Sequence, residues 1–231
     1  MPGYRSIDAE KIAETIGHLR DRIQARFPGS GLSRVAEELS AVARESVARS
    51  AWVARPILWL RVGVILLIAV MLIALLGGAL KVTSLAAVQD IGGFLQSVEA
   101  GINDIVLVGA GIYFLLTIET RIKRKVVLRA MHQFRSLAHI VDTHQLTKDP
   151  ERLLPRGTET AVSPKRTMTP FELSRYLDYC SEMLSLIGKL AALHAQHFED
   201  EVVLNAVDDM EDLTNGLARK IWQKIALITK P

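Results

Sequence analysis

The chain has 231 residues, 49% hydrophobic and 23% charged, with 28 Lys and Arg against 25 Asp and Glu for a formal net charge of +3. With 15 Gly, 8 Pro and no low-complexity tract, a collagenous or wholly disordered chain is excluded, and a lone cysteine, Cys180, excludes a disulfide framework or a multi-cysteine zinc site. A mean hydropathy of +0.22 beside so many charges requires the apolar residues to be concentrated in particular segments.

Residues 1–55 read as an N-terminal helical hairpin. Ala9, Ile12, Ile16, Leu19 and Ile23 recur at helical spacing, and so do Leu32, Val35, Leu39, Val42 and Ser46 after the break Pro28-Gly29-Ser30-Gly31. Both stripes are narrow, closer to a coiled-coil seam than to a broad core face, so each helix is expected to pack against another.

From Val62 to Leu80 there are 19 consecutive uncharged residues, which at 1.5 Å per residue match the roughly 30 Å of a bilayer core. A first transmembrane helix is predicted over 56–81, with Pro56 in its first turn and Arg61 snorkelling to the head groups. About 55 residues of charged, helix-patterned chain precede it, which is not the short basic start of a cleavable signal peptide.

A short extracytoplasmic loop is expected over 82–101. Within it Leu85, Val88, Leu95, Val98 and Ile102 line up at helical spacing across Gly92-Gly93, suggesting a short helix on the outer leaflet. The second span is read over 102–118, built on the apolar run Ile105 to Ile118 with Asp104 at the outer interface. The basic collar Arg121, Lys123, Arg124, Lys125 and Arg129 follows it.

Segment charges orient the chain. Residues 1–56 carry 9 basic and 7 acidic side chains, 82–104 carry no basic and 3 acidic, and 105–170 carry 11 and 5. By the positive-inside rule both termini are cytoplasmic, and an inner-membrane protein of a bacterium is the expected setting. Arg61 and the collar then serve as topology anchors that touch lipid head groups. As a nucleic-acid site the collar is poor, because no aromatic interleaves Arg121 to Arg129, and no nucleic-acid partner is expected.

Residues 119–146 read as a cytoplasmic extension of the second span, with Val127, Ala130, Phe134, Leu137, Val141 and His144 on one stripe. Residues 147–169, with Pro150, Pro155, Gly157 and Pro164, read as a linker. Thr169-Pro170-Phe171-Glu172 is a helix start with capping-box spacing, opening a C-terminal hairpin over 170–231. Its first stripe is Leu173, Leu177, Cys180, Leu184, Ile187, Ala191 and His194. The second, Val203, Val207, Met210, Thr214, Leu217 and Ile221, is out of phase with it, which places a turn near residues 197–201. No strand-like alternation of useful length appears. The fold class is therefore all-α, a two-pass transmembrane hairpin with amphipathic cytoplasmic helices forming a bundle. The bundle interface is expected to include Ile12, Ile16, Leu19, Ile23, Leu177, Leu184, Ile187, Met210, Leu217 and Ile221.

Few residues carry chemistry. His194 and His197 form HxxH, whose Cβ atoms on a helix would lie about 5–6 Å apart and suit a shared metal. A catalytic zinc needs a third ligand and a water, and neither HExxH nor a second cluster completes one, so no metal or cofactor is assigned. His132, His139 and His144 could form a pH-sensitive group. Seven carboxylates within residues 199–212, with no Lys or Arg among them, read as a solvated acidic face, and the net-negative hairpin is complementary to the collar. Asp104 reads first as an ordinary exterior anchor and second, in an oligomer, as part of a pore-mouth carboxylate ring. No P-loop, GxGxxG or GxSxG occurs.

The leading expectation is a noncatalytic membrane protein acting as a homo-oligomeric scaffold or signalling adaptor, in contact with membrane lipids and a cytoplasmic protein partner. The alternative is a small two-span channel or membrane effector gated by its cytoplasmic helices. A metal-dependent membrane enzyme ranks last.

Overall fold

In a computed structural model, residues 6–84, 91–148 and 168–229 are described, with side chains for 6–77, 98–148 and 168–228. Among these residues all regular structure is helical: α1 (Ala9–Arg26), α2 (Gly31–Ala54), α3 (Leu58–Ser84), α4 (Ile91–Leu146), α5 (Pro170–Ala195) and α6 (Glu201–Thr229). The chain divides into two compact units, Met1–Ala54 with Arg124–Pro231, and Arg55–Lys123.

In the first unit, local chemistry sets the helix ends. Asp8 caps α1 by accepting from the Glu10 and Lys11 amides, and Ser30 accepts from Ser33 N–H at the start of α2. Between them Gly29 takes φ +66°, a conformation that costs a residue with a Cβ more than glycine. At α5 the Thr169 hydroxyl accepts from Glu172 N–H while the Glu172 carboxylate accepts from Thr169 N–H, closing the capping box. α5 ends at Ala195 and α6 begins at Glu201, so the phase break in the apolar pattern is a turn.

The core of this unit is built around α5. It meets α1, α2 and α6, and 15 of its 26 residues are buried, a face about twice as wide as the single stripe visible in its periodicity. Ile12, Ile16, Leu19 and Ile23 of α1 are buried, as are Leu177, Leu184 and Ile187 of α5 and Met210, Leu217 and Ile221 of α6. Phe27 lies edge-on to Tyr176 and Tyr179, with centroids 5.4 and 6.3 Å away. The narrow stripes are thus covered within one chain, and intersubunit packing is not needed to explain them.

The second unit begins at the break Arg55-Pro56-Ile57. Pro56 lies two residues before α3 and not in its first turn, since a residue preceding proline is pushed out of the helical region. Leu60, Val64, Ile68, Met71 and Leu75 are half-buried at helical spacing, while no described side chain of α3 is buried. Arg61 meets Glu119 and Met71 meets Gly111, so α3 and α4 run antiparallel along one stripe. Both are long and apolar enough to cross a membrane, and neither has any of its apolar window buried.

The segment 82–101, read as a loop carrying a short helix, is described only in part. α3 continues to Ser84 and α4 starts at Ile91, so the described residues of that segment are helical. Gly92-Gly93 lowers helix propensity by about 1 kcal/mol per residue relative to Ala without removing any backbone donor, and the helix tolerates it. The stripe positions Leu85, Val88 and Leu95 and the linker residues 149–167 lie outside the described residues or side chains.

Candidate functional site

HxxH straddles the end of α5, and that decides its geometry. His194 lies inside the helix and is 1% exposed, whereas His197 sits beyond Ala195 and is exposed, its Nε2 2.9 Å from Gln196 Nε2. Among the described residues no group of three or more His, Cys, Asp and Glu could hold a metal ion, and one member of the pair is enclosed while the other faces solvent.

His194 instead belongs to the core. Its Nδ1 donates to the Leu190 carbonyl at 2.9 Å, and its ring lies edge-on to Phe134 with centroids 5.6 Å apart. That bond places the proton on Nδ1 and leaves Nε2 as a bare acceptor. Nε2 is buried without a hydrogen-bond partner among the described residues, as is Ser46 Oγ on α2. Burial holds the imidazole below its ordinary pKa of 6.5, and the positive charge of Arg49 adds to the effect, against the Leu190 bond.

Asp200, grouped by sequence with the acidic face, is buried and has two structural roles. Its Oδ1 accepts from Val203 N–H at 3.2 Å and caps α6, while Arg124 donates to both carboxylate oxygens, Nη2 to Oδ2 at 2.6 Å and Nε to Oδ1 at 2.9 Å. Arg135 and Asp209 form a longer pair at 3.9 Å. Basic α4 and the acidic hairpin are therefore joined within the chain. Asp208, Glu211 and Asp212 remain exposed.

The collar is not uniform. Arg121, Lys125 and Arg129 are exposed, and the Arg121 guanidinium lies over the Phe114 ring, 5.1 Å from its centroid. Lys123, by contrast, is 7% exposed and donates to Glu119 at 2.9 Å, and Arg124 is committed to Asp200. Both are thus ion-paired within the chain, Lys123 buried and Arg124 partly exposed. Arg61 likewise donates to Glu119, through Nε at 2.7 Å and Nη2 at 3.3 Å.

Glu119 is the residue that sequence reading passed over. Its carboxylate also accepts from Ile57 N–H at 3.3 Å, one residue before α3 begins. The Arg61 hydrogen bond and the Lys123 ammonium hold its carboxyl at about 2, well below the ordinary carboxylate range, and outweigh the opposing effect of burial. One signal was available: a lone acid at the end of an apolar run, four residues before a lysine. Nothing local pointed to Arg61, 58 positions away.

The remaining candidates stay apart. Asp104 is exposed in the second unit. His132 and His139 are exposed on α4, and the His144 ring lies against the Gly31 backbone so closely that an added Cβ there would collide with it. Cys180 is fully buried, and loss of solvation pushes its thiol up to about 12, so it is no nucleophile at neutral pH. No protein-family model, curated protein or solved structure matches the chain.

Proposed function

We propose that the chain is a noncatalytic integral membrane protein whose first unit is a cytoplasmic helical scaffold or signalling adaptor. In this reading α3 and the Ile105 to Ile118 part of α4 cross a bacterial inner membrane, and both termini lie in the cytoplasm. The observation that carries it is that neither apolar window has any residue buried. Apolar surface left out of a core needs a solvent in which exposure is favourable, and hydrocarbon is one. The absence of Lys and Arg from 82–104 and the exposed Arg121, Lys125 and Arg129 support the orientation. Trp59, 76% exposed near the start of α3, is suited to the lipid head-group level.

Homo-oligomeric contact, in this reading, falls to the apolar helices, because the stripes of the first unit are occupied within the chain. An added Cβ at Gly63 or Gly109 would meet nothing within 4 Å, leaving room for close approach of a second copy.

Reporter fusions test the topology. Fusions after residue 231 and before residue 1 should both report the cytoplasm, and one inserted at 85–90 should report the exterior. Ends in opposite compartments would overturn the reading. Mass measurement in detergent tests the oligomer, for which a strict monomer is the adverse result.

A further inference from the structure

A buried imidazole with one nitrogen bonded and the other bare is stable in one protonation state only. His194 is that group. Its Nδ1–H is already committed to Leu190 C=O, so any proton from solvent must go to Nε2. The product is an imidazolium whose second N–H lies in the core without a hydrogen-bond partner, near the Phe134 ring. Burying an unpaired charge of this kind costs several kcal/mol, which the fold avoids by opening or by refusing the proton.

Burial and the charge of Arg49 favour the neutral ring, against the smaller opposing effect of the Leu190 bond. From α2, Arg49 brings a positive charge to bear on it, itself held by Gln133 Oε1 at 3.1 Å and Glu45 at 3.4 Å. α4 supplies the Phe134 edge, and α5 supplies the occupied Leu190 carbonyl. Toward α6 the nearest acids in sequence are Glu199, which is exposed, and Asp200, whose carboxylate is taken by Arg124. No carboxylate among the described residues pairs with the ring.

We infer that His194 makes the helical unit an acid-responsive switch, in which proton uptake at Nε2 loosens the packing of α5 against α2 and α4. The lowered pKa agrees with this arrangement. Because the folded value lies below the ordinary 6.5, the unfolded chain binds the proton more readily. Stability is then full above about pH 6.5 and declines as pH falls below it. The stimulus for the proposed adaptor would be a fall in cytoplasmic pH. The titration itself does not depend on the membrane topology, so opposite-compartment reporter fusions would remove the adaptor reading and leave the switch standing.

Cys180 provides the probe, being the only cysteine and fully buried on α5. Its thiol-labelling rate in the full chain in detergent, divided by the rate in the denatured chain at the same pH, cancels the thiol's own titration and reports opening of the bundle. Protection should fall several-fold between pH 7.5 and 5.0, with little change above pH 7. His194→Gln should leave it nearly flat over that range. Arg49→Gln, which removes the like charge, should make the fall shallower. Histidine NMR titration of the wild-type chain gives a check that needs no variant to fold. An equal fall in His194→Gln, a flat wild-type profile, or a His194 that titrates at its ordinary value would each overturn the switch.

Discussion

α3 and α5 are nearly equal in length, 27 and 26 residues, and both are rich in leucine, yet their environments are opposite. α5 buries 15 residues among three neighbouring helices, while no described side chain of α3 is buried. The difference lies in what separates the apolar residues. α5 interleaves Arg175, Asp178, Glu182 and Lys189 with its core residues, so it has a polar side to turn outward. α3 has no polar side from Val62 to Leu80, and no rotation about its axis hides one face without exposing another like it. Amphipathic helices are sorted by each other, whereas a uniformly apolar one is sorted by its solvent.

The largest expected contrast follows directly. Leu184→Ala or Ile187→Ala should cost about 2–5 kcal/mol, the range for a truncated, fully buried aliphatic side chain. Leu66→Ala on exposed α3 should stay within about 0.5 kcal/mol in the same detergent. Chemical denaturation followed by helical circular dichroism and Cys180 labelling measures both. Equal losses would show that α3 is packed as tightly as α5.

Two glycines sharpen the comparison. A Cβ at Gly188 would lie 2.9 Å from Thr214 Oγ1, and that hydroxyl is tied to the Met210 carbonyl at 2.9 Å. Gly188→Val should therefore destabilise the first unit by about 1–3 kcal/mol through overpacking. At Gly111 the neighbour is Met71 Cε at 2.7 Å, the free end of a flexible side chain. Gly111→Ala should cost nothing and gain up to about 1 kcal/mol of helix propensity. A large loss at Gly111 would mean that α3 and α4 are closely fitted after all.

Smaller effects concern the ionic joints. Asp200→Ala should cost about 1 kcal/mol from the lost α6 cap alone, and Asp200→Asn less, because its amide oxygen still caps. Equilibrium denaturation ranks the two, and the reverse order would deny the capping role. The Arg61, Glu119 and Lys123 joint should be insensitive to mild acid. With the Glu119 carboxyl held at about 2, its contribution is complete above the ordinary carboxylate value and is lost only as pH falls toward 2. Infrared titration of the Glu119 carboxylate, against Glu119→Gln as reference, should find it ionised at pH 4. Protonation near 4.5 would mean that Arg61 is not its partner. The two units thus differ in acid response, the first through His194 from pH 6.5 downward and the second far lower.

Helix positions, the α5 capping box and the turn before α6 were legible in the sequence because each depends on residues within a few positions of one another. So was the all-helical class, and so was the existence of two helices apolar enough to cross a membrane. The width of the α5 core face was not legible, since periodicity records that a residue is apolar but not how many neighbours surround the helix. The unequal exposure of His194 and His197 was not legible either, because spacing along the chain does not record what covers a side chain.

What the sequence determined by itself is periodicity, termination and net charge, all set by short-range backbone hydrogen bonding and side-chain spacing. Only the tertiary structure decided which charges meet and which polar atoms are enclosed. Arg61 reaches Glu119, Arg124 reaches Asp200 and Arg49 comes to bear on His194 across 58, 76 and 145 positions. The physical reason is that desolvation and Coulomb attraction depend on distance through space, and folding, not chain order, sets that distance.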